Sequence, residues 1–279
     1  ATDPVVSGVA SGLASTRYRT GQVLAGQFVP APLQPYLGAF ALAEGVRRVE
    51  FESADNVGNA EALKSETVSI DASAPVTSLS VGEPQYDPGA GQPVVISPLT
   101  KLTLASVDPL VQEVASGVRA VQFRREAEPF SNYASPFSLP LPDGVKTVEW
   151  SATDNVGNVE SARSRAVALD ATAPVTSLAV LGGAQYPGPE PWTFYASPAT
   201  RYGLAAADPA VNGVASGVDR TEYQDNGAPF KTLAAAFALS EGSHALSYRS
   251  ADRVKNLEVA RSTTVLVDAT PPVTSVAIG

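Results

Sequence analysis

A chain of 279 residues, 44% hydrophobic and 17% charged, has the make-up of an ordinary folded protein with room for two or three domains. A formal net charge of -9 without clustered Lys or Arg argues against nucleic acid as a partner, because affinity for a phosphate backbone rests on such clusters. The absence of cysteine rules out disulfides and thiolate metal sites, and no apolar run approaches the roughly 20 residues of a membrane helix.

The elements recur. "DPVVSGVASGL" (3–13) returns as "DPLVQEVASGV" (108–118) and "DPAVNGVASGV" (208–218), an Asp-Pro block with spaced valines that could hold one helical turn. "RRVEFES", "KTVEWSA" and "ALSYRS" alternate with period two, placing Phe51, Trp150 and Tyr248 at one inward site beside Val49, Val148 and Leu246. "DNVGN" at 55–59 and 154–158 becomes "DRVKN" at 252–256, so the spacing is 99 and then 98 residues. A further alternating strand follows in each copy, with Val68 and Ile70, Val167 and Leu169, then Val265 and Val267 inward. Short proline-bearing linkers come next, "DASAP", "DATAP" and "DATPP", each running into "PVTS". "KLTLASVD", "RYGLAAAD", "VRAVQFR" and "FSLPLP" bring the count to about seven strands per copy.

A period near 100 residues is too long for a solenoid and matches a self-contained sandwich. The expected fold is all-β: tandem immunoglobulin-like β-sandwich domains arranged as an extended rod, the stiff linkers repeating one angle. The boundaries read as 1–71, an incomplete domain lacking its first strands, then 72–170 and 171–268. Residues 269–279 are the first strand of a further domain or a donor strand, with Pro272, Val273, Val276 and Ile278 as assembly residues. The simplest source for a chain opening on Ala1 and containing no Met is a processed or interior piece of a longer repeat array.

The run "PFKTLAAAFALSEGSHALSYRSADRVKNLEVARSTTVLVDATPPVTS" resembles the bacterial immunoglobulin-like repeat typified by a leptospiral outer-membrane adhesin. The shared pattern runs from a Pro-Phe and Gly-His turn through Tyr-Ser-x-Asp-Asn-x-Gly-Asn to Asp-x-Thr-Ala-Pro, and it covers all three copies. The longer Asp-Pro loop departs from the family's shorter Asp-x-x-Ser-Gly. The resemblance implies a bacterial, extracellular or cell-surface setting, and it also extends to accessory modules of secreted carbohydrate-active enzymes.

No catalytic constellation is visible. His244, the only histidine, takes the place of Arg47 or Arg48 and Lys146 and so reads as a solvated turn residue. Glu61, Glu160 and Glu258 supply one acid per copy without a pair, which is poor material for acid-base work. The chain is expected to be no enzyme.

Calcium is the candidate cofactor, since it takes 6 to 8 oxygen ligands. The candidate ligands are Asp3, Asp55, Asn56, Asn59, Asp71, Asp108, Asp154, Asn155, Asn158 and Asp170, because the Asp-Pro and Asp-Asn-Val-Gly-Asn loops share one pole and the linker acid lies at the junction. Giant adhesins built of similar domains carry calcium at such junctions. The spacing fails the EF-hand pattern, and Asn and Gly also suit a plain turn. In the third copy Arg253 and Lys255 add two positive charges to the loop, so that copy should bind no calcium. Lys255 must then bear strain of about 1 kcal/mol, or the loop must change shape. The persistence of Asp252 and Asn256 suits capping of backbone amides.

The function expected from these features is a structural or adhesive stalk of an extracellular bacterial surface protein or filament, its partners being copies of itself or adjoining repeats and a surface receptor or glycan. The alternative is a carbohydrate-binding accessory module of a secreted hydrolase, with Trp192 and Tyr195 in "PEPWTFY" stacking on sugar.

Overall fold

The computed structural model describes residues 1–89 and 91–277. Among them every regular element is a β-strand, and no helix is long and apolar enough to cross a membrane. In copy two, a six-stranded sheet runs Ser131–Asn132, Val118–Arg125, Gly144–Asp154, Arg163–Leu169, Val95–Ile96, Gln85–Tyr86. A two-stranded sheet, Val76–Val81 with Leu102–Val107, closes over it. Copy three repeats this as Lys231–Thr232, Val218–Asp225, Gly242–Asp252, Arg261–Val267, Thr193–Ala196, Gln185–Pro187, with Val175–Gly182 and Arg201–Ala207 opposite. Copy one forms one sheet, Gln27–Pro30, Leu13–Leu24, Gly45–Asp55, Lys64–Ile70, with Gln34–Pro35 paired to the long strand Leu13–Leu24. The fold is a tandem array of immunoglobulin-like β-sandwich repeats.

Period-two alternation builds each core. Ile96, Leu102, Val148, Trp150, Val167 and Leu169 form the centre of copy two, and Tyr202, Val265 and Val267 that of copy three. Trp150 also donates its indole N–H to the Thr77 carbonyl at 3.1 Å, tying the large sheet to the small one. Along Gly144–Asp154 the inward phase reads Val148, Trp150, Ala152, Asp154, so the same alternation that fills the core delivers a buried carboxylate to the pole.

That phase also corrects the reading of His244. Positions 244, 246, 250 and 252 of Gly242–Asp252 are all buried, and His244 sits within this strand rather than in a solvated turn. Its Nδ1 lies 2.7 Å from Asp225 Oδ2 and its Nε2 2.9 Å from the Ser240 carbonyl. The Asp-Pro blocks contain no helical turn either. Val6 with Val9, Val111 with Val114 and Val211 with Val214 pair across two-residue turns whose central residues both have positive φ, at 52° and 80°, 46° and 67°, and 50° and 78°.

Candidate metal centres at the junctions

The glutamates after the loops are structural fasteners. Glu160 Oε1 accepts the Thr77 amide at 2.8 Å, and Glu258 Oε1 accepts the Thr176 amide at 3.0 Å, so each acid fastens the buried threonine at the start of the "PVTS" strand of its own copy. In the outer loops Asp154 accepts the amides of Val156, Gly157 and Asn158, and Asp252 those of Val254 and Asn256. This is the amide-capping role expected of the loop. Lys255 holds φ of 72° where Gly58 and Gly157 have 95° and 103°; the loop keeps its shape and the lysine carries the strain.

Three carboxylates converge at each junction. Asp71, Asp108 and Asp154 form one group and Asp170, Asp208 and Asp252 another, each with ligand oxygens within 4.8 Å of one another. In both, one acid follows the last strand of the preceding copy, one opens the Asp-Pro block and one ends the long strand. The amide partners repeat as well. Asp71 and Asp170 accept the Ser116 and Ser216 amides at 2.7 Å, while Asp108 and Asp208 accept those of Gly117 and Gly217 at 2.7 Å. The second oxygens of Asp108 and Asp208, both Oδ1, are buried without a partner.

Only oxygen ligands are offered, which suits a hard cation, and two oxygens on one Ca2+ at about 2.3–2.6 Å each lie no more than roughly 5 Å apart. The donor set therefore fits calcium, with the orphaned Asp108 and Asp208 oxygens as free ligand atoms. The triad between copies two and three is the more loaded electrostatically. Burial, joined by repulsion from Asp170 and Asp252, pushes the Asp208 carboxyl up to about 6. Burial likewise raises Asp252. At Asp154 burial acts in the same direction, but hydrogen bonds from the Asn158 side chain and backbone and from the Gly157 amide outweigh it and hold the carboxyl low.

Arg253 and Lys255, the two cations that copy three adds to the loop, bond groups other than the triad carboxylates. The Arg253 guanidinium sits 4.5 Å from the Tyr86 ring centroid with Nη1 2.7 Å from the Tyr86 hydroxyl, and Lys255 Nζ pairs with Asp219 at 2.9 Å. Asp208 and Asp252, passed over in sequence, occupy the same positions as Asp108 and Asp154. The signal was available in the alignment of the three Asp-Pro blocks for Asp208 and of the three loops for Asp252.

The asparagines work as donors. Asn155 Nδ2 reaches the Ser116 carbonyl at 2.7 Å and Asn56 Nδ2 that of Ser11 at 2.8 Å. Asn158 Nδ2 joins Asp154 Oδ2 at 2.7 Å to the Asp71 carbonyl at 3.1 Å, and Asn59 Nδ2 meets Asp55 Oδ2 at 2.8 Å. In copy one, Asp3 accepts the Gly12 amide at 2.7 Å and, with Asp55, lines a cavity of about 620 Å³ that also touches Ser11 and Glu61. Burial raises the Asp55 carboxyl, and the Asn59 hydrogen bonds more than offset it.

Trp192 and Tyr195 do not share a cavity: Trp192 helps line a space of about 510 Å³ with Tyr186, Phe194 and Tyr248, and Tyr195 lies outside it. Tyr195 stands opposite Tyr186 in the edge pairing instead. Pro272, Val273 and Val276 are exposed and belong to no strand, and Ile278 lies outside the described residues.

No family model matches the chain, and no curated protein matches it. Similar solved structures include fibronectin(III)-like modules of Clostridium thermocellum CbhA, at 13% identity and TM-score 0.36, covering 69% of this chain and 95% of that one. A tetra-tandem repeat from the extending region of a large adhesion protein is 20% identical at TM-score 0.29, over 92% of this chain and 67% of that one. A bacterial ice-binding adhesin is 12% identical at TM-score 0.35, over 94% and 89% of the two chains. Each likeness is low and concerns the fold alone.

Proposed function

We propose that this chain is a non-catalytic segment of an extracellular bacterial stalk, in which β-sandwich copies are held end to end at a fixed angle by calcium-loaded carboxylate triads. The observation that carries the reading is the repetition of one set of bonds at both junctions. The linker acid accepts a Ser amide, at Ser116 and at Ser216, and its carbonyl accepts the loop asparagine, Asn158 at 3.1 Å and Asn256 at 2.9 Å. A mobile tether needs none of these. Further contacts cross each boundary: Gln112 Oε1 accepts from Gln22 and Arg47 at 3.0 Å, and Asn212 Nδ2 reaches the Asp143 carbonyl at 2.9 Å. Val95 and Ala168 of copy two pack with Val214 and Val254 of copy three in one buried cluster.

Calcium, when bound, would offset two of the three negative charges of the facing carboxylates. The chain's own part would be to hold Asp71, Asp108 and Asp154, or Asp170, Asp208 and Asp252, in place through the backbone amides that they accept. Bacterial surface or secreted location and the leptospiral-type repeat family belong to the same reading, supported by the residue pattern. Small-angle X-ray scattering at low protein concentration tests it: an elongated particle in calcium is expected, whereas a compact globule would overturn the stalk.

A second reading, a carbohydrate-binding module, is favoured by one feature. Trp192 is 77% exposed beside its cavity, held at φ of 68°. Glycan-array binding abolished by Trp192→Ala would support it, and no binding to any glycan would leave the stalk alone.

A further inference from the structure

Copy three departs from copy two inside its own sandwich. Strand register makes Phe194, Ala196 and Tyr248 the counterparts of Val94, Ile96 and Trp150. In copy two, Leu79, Val81 and Val94 close over a core that contains Ile96 and Trp150. In copy three, Ala196 and Tyr248 are smaller than the residues they replace, and Leu178, Val180, Phe194 and Tyr248 line the cavity of about 510 Å³ instead. Trp192 stands beside it at the position of Gln92, which is exposed even though copy three follows copy two. The hydrogen bonds that copy three makes to the face of copy two fall on Tyr86, Asp143 and Asp170, and the buried cluster of that junction on Val95 and Ala168. Of the corresponding positions in copy three only Tyr186 touches the cavity, so the cavity belongs to copy three itself.

The backbone of Trp192 is locked. Its φ is 68°, an outlier for a bulky residue, and its carbonyl accepts the Thr264 amide at 2.9 Å and the Thr263 hydroxyl at 2.7 Å. Strain held in this way at an exposed aromatic points to binding. Trp192, Phe194 and Tyr248 offer flat apolar faces to the cavity. Gln185, the Tyr248 hydroxyl and Ser262 offer hydrogen bonds, and Ser262 keeps acceptor capacity beside its 2.8 Å bond to Ser247. Among the described residues no lining side chain is charged, so a charged ligand would lose its hydration without a counter-ion. The matching ligand has an apolar C–H face and neutral hydroxyls at its edge, which is an uncharged pyranose. The volume lies within the range of about 300–1,000 Å³ of small-molecule sites and suits about one or two sugar rings. With Tyr195 outside the cavity, Trp192 and Tyr195 form no joint platform for a long polysaccharide.

We propose that the copy-three cavity binds the uncharged terminal pyranose of a glycan, with Trp192 stacked on its C–H face and Tyr248 and Ser262 bonding its hydroxyls. The inference rests on the carbohydrate reading above and narrows it to neutral chain ends; the stalk reading is independent of it. Saturation-transfer NMR of the full chain tests it, with methyl glycosides of glucose, galactose, mannose and N-acetylglucosamine as neutral probes and glucuronic and sialic acids as charged ones. Transfer to the ring protons of at least one neutral glycoside is expected, and none to the acids. Trp192→Gln installs the copy-two residue at an exposed position, and Ser262→Ala removes one exposed hydroxyl; both should fold as wild type by circular dichroism. Trp192→Gln should weaken binding about tenfold and Ser262→Ala by a smaller factor. A Trp192→Gln variant that binds as wild type does, or acids that bind as tightly as the neutral glycosides, would overturn this inference and leave the carbohydrate reading to another surface. Binding to long polymers on a glycan array without binding to any of the glycosides would do the same. A blank array together with no transfer to any probe would remove the carbohydrate reading itself.

Discussion

Asp208→Asn removes one charge from the more buried triad while leaving the side chain able to accept the Gly217 amide through oxygen, a bond of 2.7 Å. The carboxyl is raised from an ordinary value of about 3.9 to about 6 by burial and by Asp170 and Asp252. A folded-state acid whose pKa is raised binds more protons than the unfolded chain between those values, so the metal-free protein loses stability as pH rises through that window. A shift of about two units is worth up to about 3 kcal/mol at ~1.36 kcal/mol per unit, and solvent screening at a partly exposed carboxylate reduces this to ~1–2 kcal/mol. In chelator at pH 7.5, Asp208→Asn should therefore melt higher than wild type by about 5–10 °C in the transition of copy three, followed by scanning calorimetry. At pH 4 the difference should vanish. Calcium should raise the wild-type transition and leave that of the variant nearly unmoved. A variant that melts lower in chelator at pH 7.5, or a difference independent of pH, would refute the electrostatic reasoning.

Lys255→Gly restores the residue that the other two copies have at this positive-φ position. Relief of about 1–2 kcal/mol exceeds an exposed Asp219 pair of about 0.2–1 kcal/mol, and after the entropy that a glycine adds to the unfolded chain copy three should gain up to about 1 kcal/mol by calorimetry. Glu160→Ala leaves the Thr77 amide, bonded at 2.8 Å, buried without an acceptor, and should cost copy two about 1–3 kcal/mol in a denaturant titration. Leu102→Ala empties a fully buried position and should cost ~2–5 kcal/mol in the same assay.

Much of the fold is legible in residue alternation. Leu102, Leu104, Tyr202, Val167 and Leu169 are buried as their period-two strands require. Val68 is the exception at 38% exposed, because the two-stranded sheets formed by the described residues lie in copies two and three. The Asp-Pro turn was harder to read. "NG" at Asn212 and Gly213 is a strong two-residue hairpin signal, but Gln112 and Glu113 adopt the same positive-φ pair without any turn residue to announce it. Site geometry was legible where chain position alone decided it, as for Asp71 and Asp170 after their strands. It was hidden where direction decided it. A sequence shows that Arg253 and Lys255 stand in the loop, but not that their side chains bond Tyr86, 167 residues earlier, and Asp219. The fastening role of Glu160 was hidden for a similar reason, since the Thr77 amide that it accepts lies 83 residues back.

The central claim is that calcium at the triads fixes the angle between copies. The chain has no cysteine, so Ser78→Cys and Ser177→Cys, exposed positions on equivalent strands of copies two and three, take spin labels at those two sites alone. Pulsed dipolar spectroscopy then reads the distance distribution across the junction. The account predicts one narrow distance in calcium, broadening in chelator at neutral pH and again when Asp170→Asn is introduced in the presence of calcium. A broad distribution in calcium, unchanged by chelator or by the variant, would contradict it.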